Sequence, residues 1–333
     1  MATKSDYGSL LLVTTMDKMA KRITNQVGTK KALTAWLREN GRRQIWTGGD
    51  RIVEPVRYTN GSVAQWWTGY DVIDPQQGEF AKSAIYLKKH LLHPVVFTKD
   101  ERDANRGEAQ IMSLVGSKIE DAELSMEETM NTAFFGDGTG DGNRRMLGLQ
   151  ALVEIDLTNS TTIAPTQRGS GTVGTLNRST DTWWRPWNSD GAKTTSAGDN
   201  LYTAMNLMDK KLTKDGSSWT AGFTTETVLG IWDELLFDLS RIDITKQVST
   251  GNAGFMQLAF NQKPIYADDA CTAGALYMLN DKYLTFYILD NENFVLTPEE
   301  KATNQFVYYR HVMVGGQLVT SNSSRQGVIH TIT

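Results

Sequence analysis

Residues 107–134 read GEAQIMSLVGSKIEDAELSMEETMNTAF. Ile111, Val115, Ile119, Ala122, Met126, Met130 and Ala133 recur every three or four positions, which marks one apolar stripe along a helix. From Gly107 to Phe134 that helix has about 28 residues and, at ~1.5 Å per residue, a length of about 42 Å. Its other faces carry Glu108, Glu120, Asp121, Glu123, Glu127 and Glu128 against the single Lys118. No small domain covers such a helix all round, so it should lie along a surface with its acidic side in water or against a basic partner. Directly after it, FFGDGTGDGNRRMLGLQALV (134–153) reads as a glycine-rich turn running into an apolar strand.

Upstream, Thr98 and Glu101 have the spacing of a capping box and open a short helix to Arg106, before Gly107. Between Gln44 and Thr98 the texture is β-rich. RIVEPVRYT (51–59), Asn60-Gly61 and SVAQWWTGYDVI (62–73) predict a hairpin, because Asn-Gly accepts the positive φ of a type I′ turn. About eight residues on each side would reach ~26 Å, with Trp66-Trp67 just past the turn. The first forty residues predict helix in pieces, the clearest from Lys30 to Asn40 before Gly41, and are too short to own a core.

Downstream, 24 of the 43 residues from 158 to 200 are Ser, Thr, Asn or Gly, which predicts loop-rich crossing territory around the cluster Trp183-Trp184-Arg185-Pro186-Trp187. Helices are expected at Leu201–Leu212 and Thr225–Arg241, the second with its stripe of Val228, Ile231, Trp232, Leu235, Leu236 and Leu239. Strands follow in KPIYAD, ALYML, YLTFYIL, FVYYRHVMV, QLVT and VIHTI. The order of arm, hairpin, long helix, mixed segment and returning strands predicts an α+β protein with projections.

The 333 residues correspond to about two domains, and 40% hydrophobic with 22% charged residues is an ordinary globular balance. One cysteine, Cys271, excludes an intramolecular disulfide and a thiolate zinc site. No apolar run approaches the ~20 residues of a membrane span, and the leading apolar patch is too short for a signal peptide. Reducing cytoplasm is the expected place of synthesis. Residues 1–60 hold eleven Lys/Arg and five acids, a net +6, so with a total of -4 the remainder carries -10. A basic leading segment suits nucleic acid or the acidic body of a neighbouring copy.

Catalytic signals are weak. Gly169, Gly171 and Gly174 spell GxGxxG, but neither the strand before nor the helix after that would hold a pyrophosphate is predicted. The run Gly136–Gly142 trails a helix C-terminus, where the dipole is negative, and the twelfth position counted from Asp137 is Gly148 rather than a calcium-binding glutamate. His90 and His93, three apart on a strand, face opposite ways; His311 and His330 lie in separate strands without acidic neighbours. Cys271 reads as a buried inert thiol, Asp268 and Asp269 as diverging carboxylates, and Trp36 and Trp232 as core. No catalytic, cofactor or metal site is expected.

Taken together, the arm to about Arg43, the hairpin region Trp46 to Phe80, the acidic helix and the glycine turn resemble the major capsid proteins of tailed bacteriophages, with the Hong-Kong-97-like fold. TVGTLNRSTDTWWRP and GFMQLAFNQKPIYADDACTAGALYMLNDKYLTFYI resemble segments of one branch of that family, so the resemblance spans nearly the whole chain. It implies an N-terminal arm (1–45), an extended β-hairpin loop (46–80), a peripheral domain with a long spine helix (81–198 and 300–333) and an axial domain (199–299). It further implies a structural, non-enzymatic subunit, made in the host bacterial cytoplasm, that self-assembles as pentamers and hexamers into the icosahedral shell of a virion. The shell encloses double-stranded DNA without sequence-specific binding or membrane. No cofactor is implied. A portal and, since no fused scaffolding segment precedes the arm, a separate scaffold protein are implied as partners, with a decoration protein as an optional one. Covalent welding through a loop lysine is not carried over, because no lysine lies between Lys31 and Lys82. Subunit-interface candidates are Arg42, Arg43, Trp66, Trp67, Glu120, Glu123 and Glu127. The alternatives are an encapsulin-like compartment shell and, from another class, a carbohydrate-active enzyme using the tryptophans with an Asp/Glu pair.

Overall fold

The computed structural model describes residues 30–60, 64, 66–72, 78–104, 114–155, 163–190, 201–238, 257–303 and 305–332. The chain enters through α1 (Ala32–Glu39), β1 (Arg43–Trp46), β2 (Arg51–Arg57) and β3 (Ala81–Leu87), then β4 (Lys89–Thr98), α2 (Lys99–Ala104) and α3 (Leu114–Phe135). Next come α4 (Leu149–Leu152), β5 (Thr166–Gln167), β6 (Thr172–Val173), β7 (Leu176–Asn177), β8 (Trp187–Asp190), α5 (Leu201–Leu212), β9 (Ala221–Thr224) and α6 (Glu226–Asp238). The last third is mostly strand: β10 (Gln257–Phe260), β11 (Lys263–Ala267), β12 (Leu276–Leu279), β13 (Leu284–Leu296), β14 (Glu300–Lys301), β15 (Val307–Thr320) and β16 (Gly327–His330).

Two sheets organise these elements. In the first, β15 is central, antiparallel to β4 on one side and to β13 and β14 on the other, and β1 adds to β13 in parallel. The second has seven strands in the order β10-β11-β9-β12-β16-β8-β5, with α5 and α6 packed against it. The α+β expectation holds. The sheets nevertheless cross the boundaries expected at 199–299. Strand β13 hydrogen-bonds to β15 in the first sheet, while β8 and β16 complete the second. The position of each depends on a partner far away in sequence, which local patterning does not encode.

The helix α3 keeps its stripe: Ala122, Met126 and Met130 are buried, and Phe134 meets Phe286 of β13 edge-on at 4.9 Å. Residues 105–113 of the expected helix, including Ile111, lie outside the described residues. The capping box is present as read: Thr98 N donates to Glu101 Oε2 (2.8 Å) and Glu101 N to Thr98 Oγ1 (3.2 Å). Glu101 is buried and paired with Lys118 of α3, which locks the short helix to the long one.

Two local expectations are corrected. The apolar run after the glycine turn is not a strand but the helical turn α4, with Leu149 and Leu152 fully buried. Gly148 sets that geometry, since a Cβ there would collide with the carbonyl oxygens of Ala133, Phe134 and Gly136 at the end of α3. Next, β2 pairs with β3, Arg51 opposite Leu87 and Arg57 opposite Ala81, and not with residues just beyond Asn60-Gly61. Ile52 and Val56 share a buried face with Ala84 and Tyr86, and that burial outweighs the local turn signal. Gly61 itself lies outside the described residues. The stretch from 30 to 46 packs on the body. Leu33, Trp36 and Leu37 belong to the main hydrophobic cluster, and β1 is a sheet strand.

Candidate functional site

Residues 58–80 connect β2 to β3, and the base of this hairpin is held by four kinds of contact. Ile85 N donates to Gly174 O (2.8 Å) at the tight β6–β7 turn, where a Cβ on Gly174 would press on Ala84 and Tyr86. Tyr86 OH donates to Thr320 O (2.9 Å) and Tyr287 OH to Glu54 Oε1 (2.8 Å). Burial and the Glu54 carboxylate push the Tyr287 hydroxyl up to about 12. Lys82 Nζ pairs with Asp181 Oδ1 at 2.6 Å, which raises the lysine, and Tyr58 stacks on Trp183 at 5.1 Å.

At the far end, Thr68-Gly69-Tyr70-Asp71 closes on itself. Asp71 N donates to Thr68 O (2.8 Å), while Thr68 N and Oγ1 donate to Asp71 Oδ2 (2.9 and 3.0 Å). This reciprocal turn holds out a cluster of large apolar side chains: Trp66 is 102% exposed, Tyr70 103% and Val72 94%, with Trp67 at 61%. Exposed apolar patches of this size are uncommon on monomeric proteins.

On the body, a groove of about 420 Å³ runs between α3, the start of β4 and the glycine-rich turn. Its floor is apolar, made by Met130, Ala133, Met146, Phe286 and Val314. Its rim is charged: Lys89, Arg144 and Arg145 against Glu128 and Asp141. Asp141 pairs with Arg145 at 2.7 Å, and Lys89 Nζ donates to Asn143 O. Arg144 has no carboxylate partner among the described residues.

A third feature ties the leading segment to the body. Asp268 is fully buried; its Oδ2 accepts from Leu33 N (3.0 Å) and its Oδ1 from Asn131 Nδ2 (2.8 Å) and Ala270 N (3.0 Å). It thus caps α1, whose own N-cap residue Lys31 makes no side-chain cap bond. Burial pushes the Asp268 carboxyl above its usual range, with the donated hydrogen bonds opposing. Its neighbour Asp269 diverges, as expected, to accept from Lys30 N at 2.8 Å.

No family model matches the chain, and no curated protein matches it in sequence. Solved structures do match, over almost the full length of both partners. The capsid subunit of cyanophage A-1(L) is 18% identical, with a TM-score of 0.67 over 96% of this chain and 97% of that one. The capsid of a native GTA particle gives 9% and 0.61 over 96% and 95%, and that of Myoviridae phage XM1 gives 12% and 0.58 over 99% and 98%. This is the Hong-Kong-97-like capsid fold.

Within the capsid fold, the sequence-derived candidates fall in three places. Trp66 and Trp67 lie together on the hairpin tip. Glu120, Glu123 and Glu127 lie on the exposed side of α3. Glu127 is met at 3.3 Å by Lys31 of its own chain. Arg42 pairs with Asp281 (3.0 Å) and Arg43 donates to Asn293 Oδ1 (2.6 Å), also within the chain. Burial, then nearby Arg38, lowers the Arg43 guanidinium, with Glu127 opposing.

Among the catalytic signals set aside, Gly169 and Gly171 cradle a carboxylate of the chain itself: Ser170 N donates to Glu154 Oε2 at 3.2 Å. His90 and His93 occupy opposite faces of β4, and Cys271 is buried, its thiol pushed well up by burial. Trp36 and Trp232 are core. No cluster of His, Cys, Asp or Glu among the described residues has metal-binding geometry, and no described helix is long and apolar enough to cross a membrane. The groove and its arginines were missed in the sequence. GNRRM reads as a polar turn, and its basic pair becomes informative once α3 and β4 are placed beside it.

Proposed function

We propose that this chain is the major capsid protein of a tailed bacteriophage, a structural subunit acting by assembly and not by catalysis. One observation carries the reading: the chain matches phage capsid structures over 96% or more of its length. The exposed tip and the acidic α3 face support it, because both gain a role when neighbouring copies cover them. Arg42, Arg43, Trp66, Trp67, Glu120, Glu123 and Glu127 are proposed as subunit contacts. Pentamers and hexamers would close an icosahedral shell around double-stranded DNA, with a portal, a separate scaffold protein and an optional decoration protein as partners. The net charge of -4 favours a wall that does not adhere to packaged DNA. We keep the arm, hairpin loop, peripheral and axial divisions, with β13 assigned to the peripheral unit and β8 and β16 to the axial one.

Size-exclusion chromatography and negative-stain microscopy of the chain, expressed in bacteria with and without its companion scaffold, test this. Capsomers or closed shells are expected. A stable monomer that cleaves polysaccharide overturns the reading, and shells that enclose a protein cargo and no DNA redirect it to a cellular compartment.

A further inference from the structure

We infer that Asn60 is a self-modification site, where the side-chain amide converts to a carboxylate through attack by the following backbone nitrogen. Two Asn-Gly steps occur in the chain, Asn40-Gly41 and Asn60-Gly61. Glycine has no Cβ to shield its amide nitrogen, so both steps have the composition for ring closure onto the asparagine side chain. The fold treats them oppositely. Asn40 closes α1: its Nδ2 donates to Trp36 O (2.8 Å), and Gly41 N, the nitrogen that would attack, donates to Arg38 O (3.2 Å). Amide and nucleophile are both committed to the helix end. Asn60 is exposed, and its Oδ1 accepts from Arg57 Nη2 at 2.8 Å. Arg57 Nε donates to Thr59 O (3.4 Å), and no carboxylate among the described residues pairs with this guanidinium, so its charge is directed at the Asn60 amide oxygen.

The step balances with water alone. Hydroxide removes the Gly61 N–H proton, the nitrogen bonds to Asn60 Cγ, and the C=O electron pair moves onto Oδ1, where the Arg57 guanidinium stabilises the developing charge. The bond from Cγ to the amide nitrogen then breaks. Ammonia leaves with a proton from water, which restores the hydroxide, and a cyclic imide remains. Water opens either imide carbonyl, giving aspartate or isoaspartate at position 60. The chemistry does not depend on the shell-subunit reading; its consequence does. Residues 58–80 already hold Asp71, Asp74 and Glu79 and no Lys or Arg, so each conversion adds a negative charge to an acidic connection. Subunits locked in a shell are not replaced, and aged particles would carry more of that charge than new ones.

The test holds the folded full-length chain at mildly alkaline pH and follows peptides bearing Asn60 and Asn40 by mass spectrometry, with the guanidinium-denatured chain as reference. Conversion at 60 and its near absence at 40 are expected in the folded chain, against comparable conversion of both in denaturant. Arg57→Gln, checked for fold by circular dichroism, should slow conversion at 60 about three- to tenfold. An Asn60 that stays intact while the denatured chain converts overturns the inference. Equal rates at the two sites in the folded chain do the same, as does an equal rate at 60 in folded Arg57→Gln and wild type. If Arg57→Gln does not fold, the comparison of the two sites in wild type still decides. Size-exclusion chromatography of the same wild-type samples reports separately on shell formation, so failure of that reading is distinguishable.

Discussion

Asp268 concentrates much of the chain's long-range order in one carboxylate. It accepts from Leu33 N, Asn131 Nδ2 and Ala270 N with no water access, so Asp268→Ala orphans buried donors on three segments. A loss of about 2–4 kcal/mol is expected, measured by urea unfolding of the subunit. The pH dependence follows from the raised carboxyl. Where the folded chain holds a proton that the unfolded chain has released, stability falls as pH rises. The stability of wild type relative to Asp268→Asn should therefore decrease from about pH 4 towards pH 7; a difference that grows over that range contradicts the assignment. Arg42 and Arg43 make a milder case. Their partners are the half-buried Asp281 and the exposed Asn293, and contacts near the surface contribute about 0–1 kcal/mol. Replacing both by Glu should leave a folded subunit by circular dichroism and impair assembly, with the assembly of wild-type chains weakening as salt rises.

The hairpin shows how anchoring and exposure divide along one element. Its base is clamped by Lys82–Asp181 and Tyr58–Trp183, while its tip touches little of its own chain. Trp66→Ala with Trp67→Ala should leave subunit stability within about 0.5 kcal/mol and lower the melting temperature of assembled particles. Unchanged particle melting would place the tryptophans outside any contact. Asp181→Asn should speed amide exchange across Ala81–Leu87, since a short ion pair at the hinge is lost. The same element shows what sequence patterning conveys. That 51–57 is a strand was readable from alternating Ile52 and Val56, and the long helix from its three- and four-residue spacing. The partner of β2 was not readable, because Asn60-Gly61 is a local signal and the Tyr86 face is defined by a body contact at Thr320. Likewise LGLQALV carries enough apolar residues for either a strand or a helical turn, and the collision that decides it involves carbonyls of α3. Trp66 and Trp67 stood out because consecutive residues of an extended segment point to opposite faces, so one hairpin can bury at most one of them; the groove did not, because it exists only between elements.

At the scale of the molecule, strands from the last third enter both sheets, β13 and β15 one, β12 and β16 the other. Neither sheet is complete without its distant segments, so the subunit should unfold in one transition by tryptophan fluorescence and far-ultraviolet circular dichroism alike. Two separated transitions would show that the sheets are independent. The hairpin from residue 58 to 80 holds no lysine and Cys271 is buried, so the means for a covalent link between copies are lacking there. Particles boiled in denaturant with reductant should run as one band near 37.1 kDa; a ladder of multimers would reveal a weld made by a lysine elsewhere.

Strand β1 pairs in parallel with β13 over Arg43 to Trp46, just after a helix whose first turn is fastened by Asp268 and Asp269. A tensile load applied to the backbone at Lys30 meets the Asp269 and Asp268 bonds first and then four residues of parallel ladder. Pulled along its own axis, such a ladder is sheared, with its bonds stressed together, and is not peeled open one bond at a time. The segment from Lys30 to Trp46 is thus built to bear strain, and a load drawing on it would be carried directly into the central sheet.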